Sequence, residues 1–452
     1  MRGMSDAGKS WQCLELLRYR HLGGTTHNTV MSTISTCRTV RVTKPLLALT
    51  ILLPLLVWGA DVTPVLSSAS RIYLDSGSTR PFSADATGDY ICTAQLMRRD
   101  PSRCPAYGPM ARQARLDYLR SRLPDPLPEL AIEEIEIPGD AITPYNFAYV
   151  RPLPATTYRH PEEAAAGLPP VREFLAGDNW VSVMGSLDYN GAQWYEINPE
   201  EFILAEHIAF SQPSRFHGVV LSDQPQYPFG WINRDISPSA VPGEAPRADV
   251  VRRRYERITM FAQEPIDEQL WYLIGPDQWV EQSYTSRVDV DAPPEGVEPG
   301  EKWIEINTFE QTLAAYEGER MVFATLVSSG RPATWTPNGL TRIWGKLPTT
   351  PMSNHDVEPD SPAWYYLEDV EWTQYFNGAY ALHAAYWHNS FSFTRSHGCV
   401  NLAILDAKWL FDWTSPYTPE DAKIVYSDDQ NPGTWVWVHM TSPSANIVVS
   451  SH

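Results

Sequence analysis

The stretch "HAAYWHNSFSFTRSHGCVNL", residues 383–402, gathers three histidines and one cysteine in a chain of 452 residues with five cysteines. A free thiol, with a pKa of about 8.5, is only a few per cent ionised at neutral pH, so a thiol nucleophile gains from a neighbouring base. His383 precedes Cys399 by sixteen positions, enough for a strand, a loop and a turn to bring the two together. On that geometry His383 faces the sulfur, His388 lies further out on the loop, and His397 sits beside the nucleophile. A zinc site built from His383, His388, His397 and Cys399 uses acceptable ligand types. However, a His-x4-His pair on one strand would be about 13 Å apart, and no second cysteine is near, so no metal is expected. An ordinary buried turn explains any one of these residues alone but not the whole set.

The elements around this stretch are mostly short strands. "YALHAAYW" reads as a strand ending in the loop that begins at Asn389-Ser390. Leu402, Leu405, Trp409 and Trp413 recur at roughly helical spacing, which predicts one helix and sets Cys399 at or just before its N-terminus. A helix end there would favour thiolate and aim the N–H groups of Gly398 and Cys399 at a developing oxyanion. Upstream, "KWIEINTFEQTLAAYEGERMVFATLVSSG" alternates as three strands, with Ile304 and Ile306 inward and Glu305 and Asn307 outward. The predicted class is mainly β, with a C-terminal sandwich or barrel and one helix after the nucleophile.

An internal repeat precedes it. "QWYEINPEEFI" at 193–203 matches "LWYLIGPDQWV" at 270–280, an offset of 77 residues, too long for a solenoid. Each copy reads as strand, Pro-acidic turn, strand, and the aromatic pairs are expected to be core. The pattern resembles the small SH3-like barrels of exported bacterial wall proteins. The Pro/Gly/acidic run "DAPPEGVEPGE" at 291–301 marks a boundary. The expected organisation is an N-terminal extension at 1–69 and a linker at 70–140 carrying a helix in "PMARQARLDYLRSRL". SH3-like repeats follow at 141–215 and 216–292, then a catalytic domain at 300–428 and a tail at 429–452. In the helix, Met110, Leu116, Leu119 and Leu123 are expected near one face.

The net charge of −19 and the lack of a basic patch exclude nucleic acid as a partner. "PLLALTILLPLLVWGA", between Lys44 and Asp61, is short for a membrane span and suits a secretory h-region. The expectation is therefore an exported chain at the cell envelope, with an uncleaved anchor as the alternative and Met31 a plausible start. Cys92 and Cys104 close a loop of about thirteen residues, where a disulfide would contribute about 3 kcal/mol. Two free buried thiols are the alternative. Cys399 is then the odd thiol, a liability in an oxidising compartment unless its reactivity is used.

Ser396-His397-Gly398-Cys399-Val400-Asn401 preceded by His383 resembles the signature of the YkuD-type L,D-transpeptidase catalytic domain. "TPNGLTRIWGK" and "LAILDAKWLFDW" resemble that family's Thr-Pro-x-Gly stretch and the helix after its nucleophile. The likeness covers about 300–428, and the spacing from His383 to Ser396 is short for the family. What it implies is acyl transfer on peptidoglycan stem peptides and glycan, without a cofactor. Cys399 would be the nucleophile and His383 the general base and acid. Gly398 would be a backbone oxyanion donor, helped by His397, and Ser396 an orienter of His383. Asn401 and Tyr386 are the expected substrate contacts, although Asn401 could equally cap the following helix. The product would be a 3→3 crosslink. The alternatives are an L,D-carboxypeptidase and an inactive wall-binding protein.

Overall fold

The computed structural model describes residues 109–134, 142–266, 269–419 and 421–441. The expected signal segment, the expected start at Met31 and the Cys92/Cys104 pair lie outside these residues. The described residues belong to one compact unit.

Two sheets form a sandwich. The first has seven strands in the order Ile132–Glu133, Val219–Leu221, Arg320–Leu326, Thr312–Glu317, Lys302–Asn307, Trp435–His439, Gly339–Arg342. The second has eight, and its spine runs Val400–Leu402, Tyr380–Ala384, Tyr365–Asn377, Asp178–Val183, Asn146–Val150, Ile208–Phe210. Between them Ile304, Ile306, Leu313 and Phe323 meet Phe147, Val370, Leu382 and Val400, and the helix Ile404–Trp413 adds Ile404 and Leu410. Two-residue periodicity drives this packing, because one face of each strand is apolar.

The expectation of half-buried strands at 302–326 changes here. Trp303 and Tyr316 are also fully buried, on the other face, stacked at 4.0 Å. They pack with Phe229, Trp231 and Val288. The upstream segment covers the face that alternation alone would leave to water.

The 77-residue repeat is visible in the elements. The first copy runs Ala192–Asn198, Glu201–Leu204, a 3-10 turn at Ala205–His207, then Ile208–Phe210. The second runs Gln269–Gly275, Gln278–Glu281, a 3-10 turn at Gln282–Tyr284, then Thr285–Val288. Glu200 and Asp277 hold the same left-handed turn position, at φ 60° and 54°. Ile197, Tyr272, Ile274 and Trp279 are buried, so these repeat residues are core.

Neither copy closes on itself as a barrel. Asp178–Val183 pairs in parallel with Tyr365–Asn377, and Val219–Leu221 pairs with Arg320–Leu326. Strand edges need partners for their N–H and C=O groups, and the C-terminal region supplies them. The 291–301 run is a chain boundary, not a break in strand pairing.

Three further expectations need correction. The segment 429–452 is not simply a tail, because Trp435–His439 lies inside the seven-stranded sheet, parallel to Lys302–Asn307, with Val436 fully buried. The stretch 70–140 contains more than a linker, since Ile132–Glu133 pairs with Val219–Leu221. Its helix, Pro109–Ser121, buries Leu116 and Leu119 against Leu273 and Trp279. Met110 is exposed rather than on the packed face.

Candidate active site

The strand Tyr380–Ala384 lies parallel to Val400–Leu402 in the register Leu382↔Val400, His383↔Asn401, Ala384↔Leu402. Leu382, Ala384, Val400 and Leu402 point into the sandwich. His383 and Asn401 therefore share the opposite face. Cys399 lies in the bend just before Val400–Leu402, with its Sγ 3.9 Å from the Ala379 carbonyl.

The loop carrying Cys399 is clamped from one side by residues 328–336. Ser328 and Asn401 exchange backbone hydrogen bonds, both at 3.0 Å, and the Arg331 N–H donates to the Ser396 carbonyl at 3.1 Å. Thr336 Oγ1 accepts from the Gly330 N–H at 3.0 Å and donates to the Gly398 carbonyl at 2.8 Å. Gly398 has φ 124°, and a Cβ there would lie 2.2 Å from a Tyr380 ring carbon. Glycine is required by both conformation and space.

His383 is buried, with Nδ1 2.9 Å from the Ala384 carbonyl. A carbonyl only accepts, so Nδ1 carries the proton and Nε2 keeps its lone pair. Trp387 lies against the ring, 5.7 Å between centroids. Burial lowers the His383 pKa to about 4, so the ring is neutral at pH 7.

The Cys399 sulfur receives a backbone N–H from Ala381, but burial outweighs it and pushes the thiol up to about 11. Only about one molecule in ten thousand is then thiolate at pH 7. The expectation of a helix-stabilised thiolate is corrected. The strand Val400–Leu402 intervenes, and the helix starts at Ile404, with Ala403 at the N-cap position making no side-chain cap bond. The macrodipole acts within its first turn, so it does not reach the sulfur. The resting pair is neutral thiol and neutral imidazole.

Other expected roles shift as well. Ser396 Oγ donates to the Cys399 carbonyl and accepts the Gly398 N–H at 3.0 Å. Ser396 thus braces its own loop, and the Ala384 carbonyl orients His383. The Gly398 N–H, expected at the oxyanion, is occupied by that serine. His397 is exposed and stacks on Tyr365 at 4.9 Å. Tyr386 is core rather than a substrate contact: it stacks on Phe147 at 3.5 Å, and its hydroxyl donates to the Glu368 carbonyl at 2.6 Å.

Asn401 neither caps the helix nor meets solvent. Its Nδ2 is placed 3.0 Å from His388 Nε2, while its Oδ1 is buried without a partner. His388 Nδ1 accepts the Ser390 N–H at 3.1 Å, and burial lowers the ring's pKa to about 3. A neutral ring whose Nδ1 accepts must carry its proton on Nε2. Two donors cannot share that contact, so the amide is assigned with oxygen toward His388. Its nitrogen then occupies the unpartnered position. His388, expected further out on the loop, is instead buried against the strand Val400–Leu402.

Among the described residues, one group of His, Cys, Asp or Glu has donor atoms all within 4.8 Å: Asp291, Glu305 and His439, away from the cysteine. There Glu305 accepts from Tyr316 Oη at 2.9 Å and lies 2.9 Å from His439 Nε2. His439 Nδ1 is 2.8 Å from Thr441 Oγ1. Burial raises Asp291 and Glu305 to about 7. These groups satisfy one another by hydrogen bonding.

Residues 301–438 match the YkuD family, described as the L,D-transpeptidase catalytic domain. This segment is a domain of that class, and it extends ten residues beyond the 428 expected from motifs because it includes the Trp435–His439 strand. Among individual proteins, a Bacillus subtilis (strain 168) protein called putative L,D-transpeptidase YciB is 26% identical over 141 residues. The match covers 28% of this chain and 65% of that relative, so the chain spans less than two thirds of its length. Similar solved structures include an L,D-transpeptidase from Stackebrandtia nassauensis at 25% identity, covering 33% of this chain and 59% of that one, TM-score 0.23. Another, from Mycobacterium smegmatis, is 19% identical and covers 51% and 91%, TM-score 0.26.

Proposed function

We propose that this chain is an exported peptidoglycan L,D-transpeptidase that works through a Cys399 acyl-thioester. The observation that carries the reading is the committed His383 tautomer. With Nδ1–H held by the Ala384 carbonyl, Nε2 is left as a free base on the strand that pairs with the one following Cys399. The match of residues 301–438 to the L,D-transpeptidase catalytic domain supports the same chemistry.

In this mechanism a tetrapeptide stem presents the carbonyl between its third and fourth residues. His383 Nε2 takes the thiol proton as the sulfur attacks, so a thiolate need not accumulate. The tetrahedral oxyanion is met by the Cys399 N–H, and one such donor is typically worth about 10²–10³ in rate. As the C–N bond breaks, the imidazolium returns its proton to the leaving amine, releasing the terminal D-residue. An amine of a second stem then attacks the thioester. Nε2 takes the amine's proton, the C–S bond breaks, and the thiol is regenerated with a 3→3 crosslink. The apolar segment before Asp61 supports export, and the repeats at 192–210 and 269–288 would set the catalytic sandwich against the wall.

The test is a product analysis. The purified chain and Cys399→Ala are incubated with a disaccharide-tetrapeptide, and products are read by mass spectrometry. A dimer lacking one terminal D-alanine, absent with the variant, is expected. Tripeptide monomer alone would make the enzyme a carboxypeptidase, and unchanged substrate would overturn the proposal.

A further inference from the structure

The chain is strongly acidic, at −19, and many of its arginines sit against carboxylates. Arg172 lies between Glu201 and Glu368 at 2.9 and 3.2 Å. Arg287 meets Asp289 at 2.6 Å, and Arg342 meets Glu301 at 2.8 Å.

The arginines along the nucleophile loop differ. Among the described residues, Arg234, Arg254, Arg331 and Arg395 have no carboxylate oxygen within 4.0 Å. All four border residues 388–398. Arg331 donates from Nε to the Arg395 carbonyl at 2.8 Å, leaving its two terminal nitrogens outward on an exposed side chain. Arg395 is itself exposed, one residue before Ser396. At the loop's other end Arg254 donates to the Asn389 carbonyl at 2.5 Å, and Arg234 lies 5.9 Å from the Phe393 ring centre.

The nearby acids are engaged elsewhere. Asp235 binds the Arg253 side chain at 2.7 Å and the Arg254 backbone N–H at 2.8 Å. Asp178 accepts from Tyr149 Oη at 2.7 Å and pairs with Arg151 at 3.5 Å. The positive field reaches the loop, since Arg331 and Arg395 each help to lower a loop histidine, His397 and His388 respectively.

We infer that Arg331 and Arg395, backed by Arg234 and Arg254, form a carboxylate-binding rim along the nucleophile loop. The rim selects peptide donors with free carboxylates over their amidated forms. This deepens the proposed function and rests on it for the identity of the donor. A guanidinium matches a carboxylate with two parallel N–H bonds, and unpaired cations in an acidic molecule concentrate anionic ligands at that site. An acyl donor ending in a D-residue carries at least one such carboxylate, and acidic or diamino residues in its stem add more.

The experiment compares a tetrapeptide donor carrying all its carboxylates with the same peptide amidated at each, using the full chain. The free acid is expected to have a KM about fivefold lower, the upper end for an exposed ion pair. Arg331→Gln and Arg395→Gln each raise that KM about twofold. The KM for the amidated peptide moves less, so the ratio of the two KM values reads the rim apart from any general loss of activity. Arg331→Lys retains most of the preference, and 0.5 M salt removes most of it. Equal KM values for both peptides in the parent, or variants that keep the preference in full, overturn the rim. If the parent turns over neither peptide, the functional reading fails separately. Binding to Cys399→Ala, followed by tryptophan fluorescence, then decides the rim. A preference for the free acid that Arg331→Gln weakens supports it, and no preference overturns it.

Discussion

Two histidine-containing clusters lie on the same sandwich, and they have opposite accounting of protons and partners. At Asp291, Glu305 and His439 every bond leads to another member: tyrosine to glutamate, glutamate to histidine, histidine to threonine. Around Cys399 the partners run out: His388 is fixed at both ring nitrogens, but His383 and Asn401 each have one atom fixed and one left over. His383 fixes Nδ1 on Ala384 and leaves Nε2. Asn401 fixes its oxygen on His388 and leaves its nitrogen. Cys399 remains protonated, and the His383 ring is neutral. Saturated groups hold a fold together, and unsaturated ones held in place can meet a reacting molecule.

The largest expected effect breaks the reactive cluster. Cys399→Ala abolishes acylation, and His383→Gln lowers kcat by at least about 10³, the upper range for removing a general base. Both keep the thermal midpoint within a few degrees. Retained turnover in His383→Gln, measured with tetrapeptide donor, would remove it as the base.

A smaller effect is expected one contact away. Asn401→Ala leaves the buried Nε2–H of His388 without an acceptor and removes the free amide nitrogen. An orphaned buried donor costs about 1–3 kcal/mol of stability, and kcat falls as well because the free amide nitrogen is gone. His388→Gln alone, which can still donate to the Asn401 oxygen, keeps most of kcat. If Asn401→Ala left kcat unchanged, the amide assignment would have no catalytic consequence.

The saturated cluster predicts the converse. Glu305→Leu orphans the Tyr316 hydroxyl and the His439 ring nitrogen, which costs about 2–3 kcal/mol of stability. Activity per folded molecule is unchanged. Denaturation midpoints beside kcat values read both quantities, and a variant that lost activity but not stability would reverse the assignment.

The smallest effects are pH slopes, and they run in opposite directions. His383 and His388 are lowered to about 4 and 3 when folded, against about 6.5 unfolded. Their stabilisation is present above pH 6.5 and lost as pH falls toward 4. Glu305 and Asp291 are raised to about 7, so their contribution is full below about pH 4 and lost as pH rises through 7. His388→Gln should flatten the acid side of the stability curve, and Glu305→Gln the side between 4 and 7. Equal slopes in parent and variants, measured by denaturant titration at several pH values, would contradict these ionisation states.

Much of the reactive cluster was legible from residue types. The hexapeptide around Cys399, His383 sixteen positions earlier and the turn at Thr336-Pro337 are local patterns with one chemical sense in common. The 77-residue repeat was legible for a similar reason, because the same strand–turn–strand needs recur at both places. What stayed hidden depends on long-range pairing. Alternation marks Asp178–Val183 as a strand without naming Tyr365–Asn377 as its neighbour, and register carries no local signal. The contact between His388 and Asn401, the capture of His383 by its own neighbour's carbonyl and the burial of Tyr386 under Phe147 all follow from such pairing. "WVWVH" at 435–439 did alternate in the manner of a strand, yet its distance from the motif set it outside the expected domain.

The most direct test is the intact mass of the protein after seconds of mixing with a tetrapeptide donor, followed by peptide mapping. The account predicts a mass gain equal to the donor less its terminal D-residue and the displaced hydrogen, mapped to the peptide containing Cys399. The adduct is absent from Cys399→Ala and slow to form in His383→Gln. Turnover without an adduct on Cys399, or an adduct carried by another residue, would contradict it.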